Sequence, residues 1–398
     1  MSDTATQMRF ASAISDDDNA RTAVDQILLA LDDQLNAPVD LIVYFATPDH
    51  RDAFSQIHDR LDTSFRPRHV IGATVQGVIG VRRELEHPPG IAVLAASLPG
   101  ARITTFNYGQ FDWSRVIDNP DALRDQMGNV GGDPRAIVLL ADPFSTPMPR
   151  LLPTLNHCWP DTPVVGGMAS GADDPEGNRL MIDGVELTQG AVGFLLGGDI
   201  AVQTTVSQGC RPIGQPVVIT KAKRHLVMEL GGHKALQVVE ELIHEITDIE
   251  RQMVQDRGLF VGRVINEYQD TFHRGDFLIR NLVGADQDAG YIAINDTQVH
   301  VGQTLQFHVR DADSARDDFD LLLQEQVNAG PVAGALLFSC NGRGMRLFDE
   351  PDTDANLLHH ALGDVPVAGF FAAGEIGPVG GPAFLHGHTA SLVTFRPT

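Results

Sequence analysis

Three stretches near the carboxyl terminus carry side chains able to do chemistry. Ser339-Cys340-Asn341-Gly342-Arg343-Gly344 gathers a thiol, an amide and a guanidinium in one glycine-rich loop; Gly374-Glu375-Ile376-Gly377 sets a carboxylate between glycines; His386-Gly387-His388 spaces two imidazoles by one residue. A guanidinium held between glycines can grip a carboxylate or phosphate bidentately, and a carboxylate accepts hydrogen bonds from an ammonium group. Cys340, Asn341, Arg343, Gly374, Glu375, His386 and His388 are therefore the candidate ligand-binding residues. The ligand they suit is small, polar and amino-acid-like. Arg343 and nearby amides would take its carboxylate, Glu375 its ammonium group, and Asn341 with the histidines would add selectivity.

The same residue types contain a rival. Cys340, His388 and Glu375 are the ingredients of a nucleophile, a base and its orienting acid, as in a thiol-dependent hydrolase or transferase. Spacing counts against it: a nucleophile elbow needs glycine two residues before the nucleophile, and Phe338 stands there. A metal centre at His386, His388 and Glu375 has no supporting H-E-x-x-H helix, and no phosphate-binding loop with its lysine and hydroxyl is present for a nucleoside triphosphate. The residues thus favour binding over turnover, with no metal and no cofactor. A ligand-independent interaction scaffold is the third reading.

What must position these residues is an internal repeat. Three segments open on an apolar strand, Leu41 to Phe45, Ala136 to Leu140 and Ala335 to Phe338, and run on into a strand-and-glycine element, Val70 to Gly77, Val164 to Gly171 and Val367 to Gly374. In each, two glycines stand five residues apart, Gly72 and Gly77, Gly166 and Gly171, Gly369 and Gly374. That regularity predicts a shared backbone demand, either positive φ or close approach. A closing strand begins at Gly90, Gly190 and Gly387. Aligned on the glycines, Glu375 falls opposite Val78 and Ala172, His386 opposite Pro89 and Gln189, and His388 opposite Ile91 and Ala191. The third copy is polar where the others are mostly apolar. Two residues apart on one strand, both imidazoles would face the same way. The Cys340 to Gly344 loop replaces the turns at Thr47-Pro48 and Asp142-Pro143, at the carboxyl end of a strand, where α/β sheets dock ligands.

Helical spacing at Val24, Ile27, Leu28, Leu31 and Leu35, after the acidic run Asp16 to Asp18, predicts a first helix; Phe54, Ile57 and Leu61 predict a second. Leu236, Val239, Leu242, Ile243 and Ile246 predict another, with antiparallel strands at Phe277 to Ile279, Tyr291 to Ile294 and Leu305 to Val309. The expected fold is α/β, with repeated strand-helix-strand units forming mixed sheets flanked by helices. Two domains are expected, 1–232 with two copies and 233–398 with the antiparallel strands and the third copy, divided near Gly231-Gly232.

Composition bounds the function. The 398 residues carry 52 Asp and Glu against 29 Lys and Arg, a formal charge of -23, which repels phosphate backbones and anionic lipid. Nucleic acid and membrane are accordingly not expected as partners. Three scattered cysteines make neither a zinc ribbon nor a disulfide framework. Met1 to Phe10 shows no targeting signal and no apolar run approaches the ~20 residues of a membrane span, so the expected location is cytoplasmic.

With these residues in view the chain resembles the FIST domain family. The Ser339 to Gly344 loop, Val367 to Pro378, and Phe384-Leu385-His386-Gly387-His388-Thr389-Ala390-Ser391 look like its C-terminal part. Ile71-Gly72-Ala73-Thr74 to Gly80 and Leu94 to Pro99 are similar to its N-terminal part. The resemblance covers nearly the whole chain. It implies an intracellular signal-transduction module that senses small ligands such as amino acids, often fused to kinase, cyclase or methyl-accepting output domains. The length leaves no room for such an output domain, so signal is expected to leave through a protein partner or a homo-oligomer. No F-box-like helical segment precedes residue 40, which argues against a role in the ubiquitin system.

Overall fold

The computed structural model describes residues 7–398 apart from 88, 270, 274 and 297; residues 1–6, part of the stretch read above for a targeting signal, lie outside the described residues. Leu41, Val43 and Phe45 face one side of their strand and Ile42, Tyr44 and Ala46 the other, and all six are buried. A strand covered on both faces reads as an unbroken apolar run. The strands at 136 and 334 are buried along their whole length in the same way.

The first copy consists of β1 (Arg9–Ser15), α1 (Ala20–Gln34), β2 (Leu41–Ala46), α2 (Phe54–Phe65), β3 (His69–Thr74), the hairpin β4 (Val78–Gly80) and β5 (Arg83–Leu85), and β6 (Ile91–Ser97). The second repeats the order with β7 (Ala101–Asn107), α3 (Pro120–Met127), β8 (Ala136–Ala141), α4 (Met148–Cys158), β9 (Val164–Met168), β10 (Leu180–Ile182), β11 (Val185–Leu187) and β12 (Ala191–Gly198). The third begins with β13 (Ala201–Gln208). An inserted segment follows: β14 (Cys210–Lys223), β15 (Leu226–Leu230), β16 (His233–Lys234), α5 (Ala235–Glu245), α6 (Asp248–Arg257), β17 (Phe260–Val264), β18 (Phe277–Asp286), β19 (Tyr291–Ile294) and β20 (Thr304–Arg310). The third copy then resumes with α7 (Ala312–Asn328), β21 (Gly334–Cys340), α8 (Thr353–Leu362), β22 (Val367–Ala372), the hairpin β23 (Glu375–Pro378) and β24 (Ala383–His386), and β25 (Thr389–Arg396). Each copy is longer than its glycine spacing revealed, because a leading strand and helix precede the first apolar strand.

By contact the chain forms two compact units, 1–207 with 319–398, and 208–318. In the larger unit each copy builds four strands of a mixed sheet and receives a hairpin from another copy. The orders are β1-β6-β2-β3-β10-β11, β7-β12-β8-β9-β23-β24 and β13-β25-β21-β22-β4-β5. Copy two gives its hairpin to copy one, copy three to copy two, and copy one to copy three, so the exchange closes as a ring and covers the free edge of each second strand. The inner faces of all three sheets share one core, in which Phe45, Phe338 and Phe370 meet at centroid distances of 4.7 to 6.4 Å. Helix pairs cover the outer faces, α1 and α2, α3 and α4, α7 and α8.

The shared demand on the first glycine of each copy is close approach. A Cβ at Gly166 or Gly369 would lie 1.8 or 2.0 Å from the carbonyl oxygen of the neighbouring strand, and one at Gly72 would strike the Tyr44 ring. Only Gly166 of the three also has positive φ.

In the smaller unit the antiparallel strands run β14-β20-β17-β18-β19-β15, and β15 also pairs with β14, so the sheet closes into a barrel with β16 as an appendage. Helices α5 and α6 pack on its apolar residues through Leu242, Ile246, Met253 and Val254.

Candidate functional site

Parallel pairing of β21 and β22 brings Cys340 level with Ala372 at the carboxyl ends of both strands. The Asn341 amide donates to the Ala372 carbonyl at 2.9 Å, which fixes the start of the loop. After Gly374 the chain enters β23, where Glu375 pairs with Gly167 of β9 and His386 of β24. Glu375 is completely buried. Its Oε2 accepts from the Thr389 amide (3.1 Å) and hydroxyl (2.9 Å), while Oε1 has no hydrogen-bond partner among the described residues. Burial pushes the carboxyl up to about 8, against the opposing pull of Thr389, the adjacent Cys340 thiol and the Arg343 charge. At neutral pH Glu375 is therefore mostly a neutral acid.

Sheet register shows what the third copy changed. Gly72, Gly166 and Gly369 pair with Tyr44, Leu139 and Leu337, so Thr47, Asp142 and Cys340 are equivalent positions at the ends of the first strands. In copy one the Thr47 hydroxyl accepts the Gly90 amide at 2.9 Å; in copy two the Asp142 carboxylate accepts the Phe144 and Ser145 amides, and the Ser145 hydroxyl takes the Gly190 amide at 2.7 Å. The residue equivalent to Gly90 and Gly190 is Thr389, because Ala390 pairs with Ser339 as Ile91 pairs with Ala46 and Ala191 with Ala141. Its amide goes to Glu375. In copy three the Glu375 carboxyl thus takes the amide that Thr47 and Ser145 hold in the other two copies.

The same register corrects three expectations. Glu375 stands opposite Val78 and Leu180, not Ala172, because a longer loop separates Gly171 from β10. His388 does not begin the closing strand: it sits in the turn before β25 with φ 64, a left-handed conformation unusual outside glycine. His386 ends β24 and turns its Nε2 to the Gly377 carbonyl at 2.9 Å, so the two imidazoles do not share one strand.

Arg343 is fully buried, and Asp354 of α8 holds it through Nε (2.8 Å) and Nη2 (2.6 Å). The guanidinium carbon lies 5.2 Å from the Phe348 ring centroid, and the Ser339 hydroxyl donates to Asp354 at 2.7 Å. The fork assigned above to a ligand carboxylate is occupied by a carboxylate of the protein. Glu84, on the hairpin given by copy one, accepts the Ala355 amide at 2.8 Å, and burial with the nearby Asp354 charge pushes its carboxyl well above the usual range. Arg346 is exposed and donates to the Asn341 carbonyl at 3.1 Å.

Cys340, Glu375 and the Asn341 loop therefore come together, with Arg343 behind them as an internal anchor. Thr389, Asp354 and Glu84 went unread in the sequence. Asp354 and Glu84 meet the site only through folding, whereas Thr389 was hidden by an alignment anchored on Gly387. Among the described residues no group of three or more His, Cys, Asp or Glu is placed to hold a metal, and no helix is long and apolar enough to cross a membrane.

Comparison with known proteins places the chain. An uncharacterized protein of Mycobacterium tuberculosis (strain ATCC 25618 / H37Rv) is 39% identical over 380 residues, 95% of this chain and 97% of that one. An uncharacterized protein of Mycobacterium bovis (strain ATCC BAA-935 / AF2122/97) is 38% identical over 391 residues, 98% and 99% of the two chains. Among solved structures, a cyanuric acid hydrolase from A. caulinodans aligns over 98% of this chain and 99% of its own, at 8% identity and a TM-score of 0.40. The FIST N domain model matches residues 40–233 and the FIST C domain model residues 235–378, and FIST domains are associated with sensory signal transduction. With both matches covering nearly the whole chain, the protein belongs to the FIST domain family.

Proposed function

We propose that the third copy is the sensing site for a small polar amine, amino-acid-like in size, and that the chain passes its bound state to a protein partner in an intracellular signalling system. The observation that carries this reading is Glu375: a fully buried carboxyl with one oxygen tied to Thr389 and the other without a hydrogen-bond partner among the described residues. It stands at the carboxyl ends of β21 and β22, where the other copies have Val78 and Leu180. A buried polar atom left unmatched costs free energy that a ligand can recover. His388, held at positive φ beside Thr389, adds backbone strain of the kind that collects at binding sites.

In this arrangement the ammonium group meets Glu375, the amides of the Asn341 to Gly344 loop and the Asn341 side chain meet the polar remainder, and Arg343 fixes the loop from behind. Arg346, exposed and donating to the Asn341 carbonyl, is a cation that would attract a ligand carboxylate.

Protonation gives the test its sign. An ammonium ligand needs the ionised carboxylate, so binding expels a proton. Affinity should rise about tenfold per pH unit up to about 8 and level off above it. Calorimetric titration and thermal shifts with a panel of amino acids and amines at pH 6, 7 and 8 measure this directly. Glu375→Gln should lose the stabilisation; equal stabilisation of wild type and variant would remove the site.

One observation favours the thiol reading, namely that Cys340 Sγ accepts the Gly342 amide at 3.4 Å beside Glu375. A neutral acid does not deprotonate a thiol, so Cys340 should label with electrophilic probes at pH 7 no faster than an ordinary cysteine. Rapid labelling would turn the assignment towards a nucleophile.

A further inference from the structure

We propose that Arg263 and Arg280, on adjacent strands of the barrel, form a second binding site, selective for a small oxyanion. In the β17–β18 register Val261 pairs with Arg280 and Leu278 with Arg263, so the two arginines lie diagonally on one face. That face is otherwise apolar, with Val261, Leu278, Leu305 and Phe307 all buried.

Both guanidiniums converge on one oxygen. Arg263 Nε lies 2.9 Å and Arg280 Nε 3.4 Å from Asp296 Oδ2, while Oδ1 accepts the Gln298 amide at 2.8 Å. Among the described residues the two cations pair with this one carboxylate, which leaves one positive charge in excess at the contact. The neighbouring Glu267 does not supply the balance: its carboxylate accepts from the Thr304 amide and hydroxyl at 2.7 and 2.6 Å and pairs with neither arginine among the described residues. Arg280 gives Nη1 to the Ile279 carbonyl at 2.9 Å, and the Nη groups of Arg263 make no hydrogen bond among the described residues. The side chains of Arg263 and Arg280 remain 11% and 18% exposed and Asp296 only 5%, so the anionic member is covered and the cationic edge stays reachable.

A purely structural pair would need one arginine. The second brings like-charge repulsion into a poorly solvated place, and burial together with the Arg263 charge holds the Arg280 guanidinium below its ordinary range despite Asp296. An oxyanion on the open edge would restore neutrality and take paired N–H donors from Arg263, the geometry that suits phosphate and carboxylate. The excess charge is local, in a chain of net charge -23, so the attraction acts at contact range and weakens with salt.

Calorimetric titration with inorganic phosphate and with acetate, at constant ionic strength in chloride, tests the proposal. Binding of either ion to the wild type is expected, and the preferred one tells phosphate-bearing from carboxylate-bearing ligands. Arg263→Gln leaves Arg280 and Asp296 as a balanced pair. It should lower the thermal midpoint of the ligand-free chain, because Asp296 loses its 2.9 Å partner, and should weaken binding to the folded protein about ten- to hundredfold. Arg263→Lys keeps the charge without the fork and should fall between the two, which guards against a folding defect in the glutamine variant. The idea fails if neither ion binds the wild type above chloride, or if both Arg263 variants bind as the wild type does. Glu375→Gln should leave this binding untouched, so the outcome is separate from that at the third copy.

Discussion

Arg343→Met should lower the stability of the chain by about 3–5 kcal/mol, the cost of stripping a buried carboxylate of its partner. Asp354 has no exposure, and the arginine supplies two of its hydrogen bonds, leaving the Ser339 hydroxyl as its side-chain partner among the described residues when it is removed. Glu84 makes matters worse, because it shares the site with Asp354 and its carboxyl is already forced upward by burial and by that charge. Removing both members of the pair, Arg343→Met with Asp354→Leu, should recover much of the loss, since the uncompensated charge disappears with its partner. Denaturant unfolding of the two single variants and the double variant measures the coupling. A single variant within about 0.5 kcal/mol of wild type, the range of an ordinary surface substitution, would show that the pair does not anchor the loop, and Arg343 would return to consideration as a ligand residue.

Glu375→Gln should reverse the usual direction of such a change and stabilise the chain at high pH. An acid whose folded pKa is raised keeps its stabilising contribution below the unfolded value, near 4.5, and loses it as pH climbs through the folded value of about 8. The loss across that window is about 3–5 kcal/mol at 1.36 kcal/mol per unit. Glutamine carries no proton to lose and still offers an oxygen to Thr389, so the variant should match wild type near pH 4.5 and exceed it above pH 8. Thermal midpoints of both proteins from pH 4.5 to 9 decide the matter. Parallel curves would mean that Glu375 ionises in the fold as freely as in an open chain, and the sensing site would lose its neutral acid.

Both predictions concern residues that the sequence singled out, yet their roles differ from first expectation in instructive ways. Arg343 has the chemistry to bind a ligand carboxylate, and its neighbours Gly342 and Gly344 favour access. Nothing local announces that Asp354, eleven positions on, already occupies the fork. Glu375 was legible as an exception to a repeat whose other copies are apolar there. Its neutrality at pH 7 follows from complete burial, which is a property of packing. The histidines were misread because spacing by two implies a common face only along an extended strand, and the left-handed turn at His388 breaks that geometry.

What the sequence determined by itself is whatever depends on near neighbours. Unbroken apolar runs marked the strands at Leu41, Ala136 and Ala335, and helical spacing marked the helices at Val24 to Leu35 and Phe54 to Leu61, since burial is imposed on each element separately. Repeated glycines exposed three copies, because close strand approach excludes a Cβ wherever it recurs. The tertiary structure alone decided the rest: the ring of exchanged hairpins, the closed barrel of residues 208–318, and the partners of Arg343, Glu375 and Arg263. These rest on contacts between residues far apart in the chain, whose pairing is selected by how well whole surfaces and buried charges match and not by any pattern along the backbone.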